Sequence, residues 1–467
     1  TDTFIQGLYS DNKIVRTVSA LWLGRRGDLK NSQLLIQALE KEEEEKLDIM
    51  NLDKIKNIKD IPPAYAEAIA LAQSDDPDSV SKLIGMAVSG KSIISQQAAI
   101  ISLGLRSEPQ AVATLIELSK TSSSVQIKMA AVFALRNYNT LEVKAALYSA
   151  LEDEDIGVKL MAASSLVSLE YPLKEMVPEL ISIVENEKAS PIHRAIAARI
   201  LTDMKEERAM GSFITILENP EQVDSELLEA IIYGLGKSGD EKAIPYLDKA
   251  LSNPATQQAT IISVGQIKSP KAFETLRNFM EHPKEFNLDG HDFQTYSLVI
   301  SSLKQIDPLK TEELLLNLLP KSKDAQFIQA AFFGLADSDN PKAIELMLTN
   351  LENPDARIRY AAISSLTSKI SQPQIKEAFI NTLKFDSDPF VRSQAGLGLG
   401  GIDDSIVKNA LKSALGDPHP RVKTAAILSL TPKPDFDTIQ TVKTLLSDPN
   451  IEVSKTAEFF LSFNLID

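Results

Sequence analysis

One template recurs along this chain every 31–33 residues through most of its length. Three segments show it in register: "NPDARIRYAAISSLTSK" (353–369), "SDPFVRSQAGLGLGGI" (387–402) and "DPHPRVKTAAILSLTPK" (417–433). The bases Arg359, Arg392 and Lys423 align; three residues later come Ala362, Ala395 and Ala426, and seven residues after the base come Leu366, Leu399 and Leu430. The small or aliphatic position recurs at Ser19, Ala99, Ala131, Ala162, Ala197, Ile231, Thr260, Val299, Ala331 and Ala457, with a looser unit at Ala68. Self-similarity at such a period means stacked supersecondary units rather than a succession of independent cores, so length no longer counts domains.

Each period holds two helical patterns. "IKEAFINTLKF" (375–385) and "IVKNALKSALG" (406–416) place apolar residues at i, i+3, i+4 and i+7, as an amphipathic helix requires. A turn follows, often Asp-Pro or Asn-Pro, as at Asn353-Pro354, Asp388-Pro389, Asp417-Pro418 and Asp448-Pro449. Asp or Asn can cap the next helix, and Pro fits its first turn, where no N–H is needed. The second helix carries the base, the small residue and the Leu. The reading is all-α: about fourteen two-helix repeats in one continuous run over 1–467, interrupted at 40–63 and 281–293.

Gly396, Gly398 and Gly401 spell G-x-G-x-x-G, the dinucleotide fingerprint. That fingerprint needs a buried strand before it and a βαβ unit around it. Here the preceding segment is polar and helical, so Gly396 and Gly398 are read as helix-packing positions and Gly400 and Gly401 as the helix end. On that reading Gly398→Ala is expected to be tolerated, since helical Gly is weaker than Ala.

The repeated D-P-x-V-R/K-x-x-A-A-x-x-L, clearest at 388–399 and 417–430, resembles the HEAT-repeat superfamily, in particular the phycobilisome-lyase-type HEAT-like repeat. The resemblance implies an armadillo-like, right-handed superhelical α-solenoid with the second helices on the concave face. It also implies a structural ladder of stacked acids and bases: Asp155, Asp355 and Asp388 with Lys159, Arg359 and Arg392.

The two interruptions are the places where chemistry could enter. "EKEEEEKLDIMNLDKIKNIKDIPP" (40–63) carries an acidic run, read as a solvated helix end. "EHPKEFNLDGHDF" (281–293) brings His282 and His291 near Asp289, which makes these weak metal candidates; the spacing fits no metal motif, and a solvated loop is the simpler reading. The chain has no Cys, no H-E-x-x-H and no G-x-S-x-G. With no convincing nucleophile or ligand cluster, no catalytic residue and no cofactor are assigned.

The position two residues beyond the small one runs Leu21, Ile101, Phe133, Ser164, Arg199, Tyr233, Ile262, Ser301, Phe333, Ser364, Leu397, Leu428 and Phe459. Packing against the next repeat is the simpler account of its apolar members. If it faces the groove instead, Arg199, Tyr233, Ser164, Ser301 and Ser364 form a polar centre for reading a partner. The chain carries 64 acids against 49 bases, net −15, which repels phosphate backbones and favours a basic or extended protein segment.

The favoured function is therefore a non-catalytic protein-protein interaction scaffold, monomeric, holding a partner along the concave groove. The alternative is a bilin-lyase-like enzyme or chaperone handling a small molecule and an acceptor protein. No apolar run is long enough to span a bilayer. A start at Thr1 without Met, together with the absent Cys, leans toward an exported bacterial protein, periplasmic or lipid-anchored, over a cytoplasmic one.

Overall fold

A computed structural model describes all residues except 1, 26–28, 40–60, 74–77, 107, 219–222, 283–291, 433 and 465–467. Helix is the only regular secondary structure among the described residues. Two compact units are formed, Thr1–Gly234 and Leu235–Asp467. The acidic interruption at 40–63 lies outside the described residues apart from its last three, and the loop at 281–293 apart from its two ends.

In the first unit the second helices are Lys13–Gly24, Pro63–Ala72, Ile93–Gly104, Val125–Leu135, Ile156–Ser168 and Pro191–Asp203, each packed on the next. In the second unit they are Gln257–Gln266, Phe293–Ile306, Ala325–Gly334, Ala356–Leu366, Pro389–Gly398, Pro420–Leu430 and Ile451–Asn464, again each on the next. First helices such as Pro373–Phe385 and Ser405–Ala414 pack on their own second helices.

The repeat explains this packing. Every aligned small or aliphatic position is buried: Ser19 is 2% exposed, and Ala68, Ala99, Ala131, Ala162, Ala197, Ile231, Thr260, Val299, Ala331, Ala362, Ala395, Ala426 and Ala457 are all 0%. The Leu four residues later is buried too, as at Leu103, Leu166, Leu366 and Leu399. A small residue lets two helix backbones approach, and side-chain hydroxyls then reach across. Ser102 Oγ donates to the Ala68 carbonyl at 2.8 Å, Ser165 Oγ to that of Val132 at 3.2 Å, and Ser429 Oγ to that of Gly396 at 2.9 Å.

The turns cap as their chemistry allows. Asp155 Oδ1 accepts from Gly157 and Val158 N–H, and Asp388 Oδ1 from Phe390 and Val391 N–H. His419 is also a cap: its Nδ1 accepts from Arg421 N–H at 3.2 Å.

The glycine-rich stretch is helix and helix end. Helix Pro389–Gly398 contains Gly396 and Gly398, and Gly401 has φ +74, the left-handed conformation that terminates a helix cheaply only with Gly. The expected tolerance of Gly398→Ala is overturned. A Cβ there would lie 2.2 Å from Cε1 of Phe379, a ring that is fully buried. Gly398→Ala is thus expected to cost about 1–3 kcal/mol, because overpacking outweighs the helix-propensity gain. Urea unfolding of the variant checks it; a midpoint equal to or above the parent's rejects this packing.

Candidate functional site

The residue two positions beyond a buried helical position lies about 200° round the helix axis, facing away from the core. In the second unit the stripe obeys that geometry. Ile262, Phe333, Leu397, Leu428 and Phe459 range from 39% exposed at Phe333 to 52% at Phe459, and Ser301 is exposed as well. Ser364 is half-buried and its Oγ makes no hydrogen bond. Packing against the next repeat therefore does not bury these side chains. In the first unit the packing account does hold at Ile101 and Phe133, both buried.

Leu397, Leu428 and Phe459 sit on three successive second helices that pack directly on one another. Equivalent positions on such neighbours are spaced by the interhelical distance, about 8–10 Å. Phe293 packs edge-on against Phe333 with centroids 5.9 Å apart, and Phe459 lies 4.8 Å from Phe463. The result is a row of half-exposed apolar side chains rather than scattered single ones. Rows of this kind mark interaction surfaces.

Beside this row, toward the start of the same helices, lies a cavity of about 310 Å³ lined by Gln329, Arg357, Tyr360, Asp388, Phe390 and Arg421, among others. The Arg421 guanidinium stacks over the Phe390 ring, 4.6 Å from its centroid. The Tyr360 hydroxyl donates to Gln394 Oε1 at 3.4 Å. Arg357 is clamped by the cap at its own helix start: Nη2 lies 2.6 Å from Asp355 Oδ2, and this hydrogen bond holds the Asp355 carboxyl below its ordinary range.

The ladder is present, but with other acids. Arg359 forks onto Asp386 (2.8 Å on each of two bonds) and Arg392 onto Asp417 (2.9 Å on each). Lys128 reaches Asp153 at 2.7 Å, and Lys423 pairs with Asp448. Each of these acids stands two residues before the helix cap of the following unit and also accepts that cap's backbone N–H, as Asp386 does from Asp388 at 2.8 Å. Asp155, Asp355 and Asp388 instead spend Oδ1 on capping, Asp355 also holding Arg357 of its own helix, and Lys159 makes only a 3.8 Å contact with Glu179. A cap oxygen is aimed into its own helix, so it cannot also fork onto a neighbour's guanidinium. Hydrogen bonding to Lys423 and then to the Asn450 backbone holds the Asp448 carboxyl below its usual 3.8.

The remaining candidates divide between the units. Ser164, Arg199 and Tyr233 belong to the first, Ser301 and Ser364 to the second. Ser164 and Arg199 are half-buried on adjacent second helices, and one Arg199 Nη2 is buried without a hydrogen bond. Tyr233 is 42% exposed. His282 is exposed at the end of helix Pro270–Glu281, while His291 and Asp289 lie outside the described residues. No metal-binding group of His, Asp and Glu occurs among the described residues. None of their helices is long and apolar enough to cross a membrane.

Repeat geometry and repeat sequence agree with a known family. The HEAT repeats profile matches residues 348–431 and 375–461, and the PBS lyase HEAT-like repeat matches 227–253. The chain thus carries HEAT repeats within residues 227–253 and 348–461. No curated protein matches it. Solved structures similar to it include Kap121p bound to Nup53p, at 12% identity over 99% of this chain and 52% of that one, with a TM-score of 0.44. Importin β in an ammonium sulfate condition matches at 11% identity over 98% of this chain and 68% of that one, with a TM-score of 0.46. YibA of Escherichia coli matches at 20% identity over 57% of this chain and 92% of that one, with a TM-score of 0.36. The chain spans about half the length of the Kap121p structure. These likenesses concern the fold alone.

Proposed function

We propose that this protein is a non-catalytic interaction scaffold and that the second unit holds a protein partner along the outward face of its second helices. One observation carries the reading: the same repeat position is apolar and half-exposed at Ile262, Phe333, Leu397, Leu428 and Phe459. A position conserved in register for packing alone would be buried, as the small position two residues earlier is at every unit. Ser301 and Ser364 interrupt the apolar row and would give the partner its register, since small polar residues leave room between larger ones. Ser164, Arg199 and Tyr233 would extend the same reading to the first unit.

The test uses Leu397→Asp with Leu428→Asp. Both side chains are half-exposed, so the fold should survive with a melting temperature near the parent's. The proteins retained from a native extract by the parent are identified, and the dominant one is purified and titrated against both forms. Losing two apolar contacts at a buried interface is expected to weaken binding by about 2 kcal/mol or more, at least about thirtyfold. Unchanged affinity would remove the second-helix face from the account.

A further inference from the structure

Acids make up 64 of the 467 residues, yet six consecutive second helices of the second unit contain none: Gln257–Gln266, Phe293–Ile306, Ala325–Gly334, Ala356–Leu366, Pro389–Gly398 and Pro420–Leu430. Among the described residues, the acids of this region are on the first helices or in the turns between helices. Those at the helix entries are committed. Asp355 pairs with Arg357, Asp386 with Arg359, Asp417 with Arg392, and Asp388 caps its own helix. Arg421 differs from the other arginines here. It is exposed, lies on the Phe390 ring at the cavity wall, and makes no ion pair among the described residues. The net charge of −15 therefore misstates the local balance: Asp388 keeps its charge while capping, and Arg421 offsets it as a cation with no ion pair among the described residues.

We propose that this face binds an extended acidic–apolar peptide segment of a protein partner, with a carboxylate of the segment on Arg421 and its apolar side chains on the Leu397–Leu428 row. The inference rests on the interaction reading above and gives that partner its chemistry. A guanidinium stacked on an aromatic ring is held flat and partly desolvated, with its edge donors free to fork onto a carboxylate. Tyr360, and Gln329 beside it, add polar groups able to take a further hydrogen bond. A basic segment would meet Arg421 as a like charge and would find no uncommitted acid except the free oxygen of Asp388.

The spacing also suits an extended chain. Neighbouring second helices stand about 8–10 Å apart, and a chain in the extended polyproline II conformation returns to the same side every three residues at about 3.1 Å each, so an apolar side chain at every third residue keeps step with the row. Arg421 precedes Leu428 by seven residues, about 10 Å along the helix, a gap that an arginine and a glutamate side chain can close between them.

Three fluorescein-labelled twelve-residue peptides test this, built from repeats of Phe-Gly-Glu, Phe-Gly-Asn and Phe-Gly-Lys. Their binding to the full chain is read by fluorescence anisotropy at low and moderate salt. The glutamate peptide is expected to bind tightest and to weaken with salt. Arg421→Glu should weaken it about tenfold and bring the lysine peptide up, with unchanged melting as the folding control and Arg421→Gln giving an intermediate loss. Binding of the lysine peptide as tight as that of the glutamate peptide, or indifference to Arg421→Glu, overturns the acidic assignment. Failure of all three peptides overturns it too. The interaction face itself stands or falls separately, on the Leu397→Asp and Leu428→Asp titration with the natural partner.

Discussion

Ala395→Arg unfolds the second unit locally and costs at least about 4 kcal/mol, because it drives a long charged side chain into a helix-helix contact that has no room for it. Ala395 is 0% exposed on helix Pro389–Gly398, which is packed between Ala356–Leu366 and Pro420–Leu430. The aligned Ala362 and Ala426 on those two helices are 0% exposed as well. Repeat arrays draw stability from nearest-neighbour interfaces, so spoiling one interface uncouples the units on either side. Calorimetry should show an early additional transition or a single transition shifted well down. Ala362→Arg should behave alike. Melting like the parent's would mean that the repeat register is misplaced.

The second large effect separates two aspartates that stand two residues apart. Asp386→Ala leaves Arg359, one of the few buried charged side chains, without its forked partner, and also strips the Asp388 N–H of its acceptor. The expected loss is about 3 kcal/mol, the lower end for breaking a buried pair. Asp388→Ala removes only a helix cap, worth about 1 kcal/mol. Denaturant midpoints of the two variants decide it. Equal losses, or a larger one for Asp388→Ala, would return the ladder to the capping acids.

These cases show what could be read from residues alone. The small position was legible because close backbone approach restricts side-chain size, and that restriction repeats unit after unit from Ala99 to Ala457. The ladder bases Arg359 and Arg392 were legible for the same reason. Their acids were missed because "DED" (153–155) and "DSD" (386–388) offer two aspartates each. The last two units separate the roles: Asp417 precedes His419 and Asp448 precedes Asn450, so there only the first of the two positions is acidic.

The stripe was read by composition, which sends apolar side chains inward. Its angular offset of about 200° from the buried alanine sends them outward. Gly398 was judged by helix propensity, although its aligned partners Ser365 and Ser429 are buried positions facing a neighbour. The cavity and the stacking of Arg421 on Phe390 join residues from separate repeats, and no local spacing announces them.

The most direct measurement of the central claim is site-specific photo-crosslinking to the partner. A benzophenone side chain is placed at Leu397 or Leu428 on the second-helix face, and at Phe385 or Ile406 on the first helices, positions that are exposed at least as fully. The account predicts partner adducts from Leu397 and Leu428, and none from Phe385 or Ile406. Adducts from the first-helix positions with none from Leu397 and Leu428 would contradict it and place the partner on the other side of the repeat.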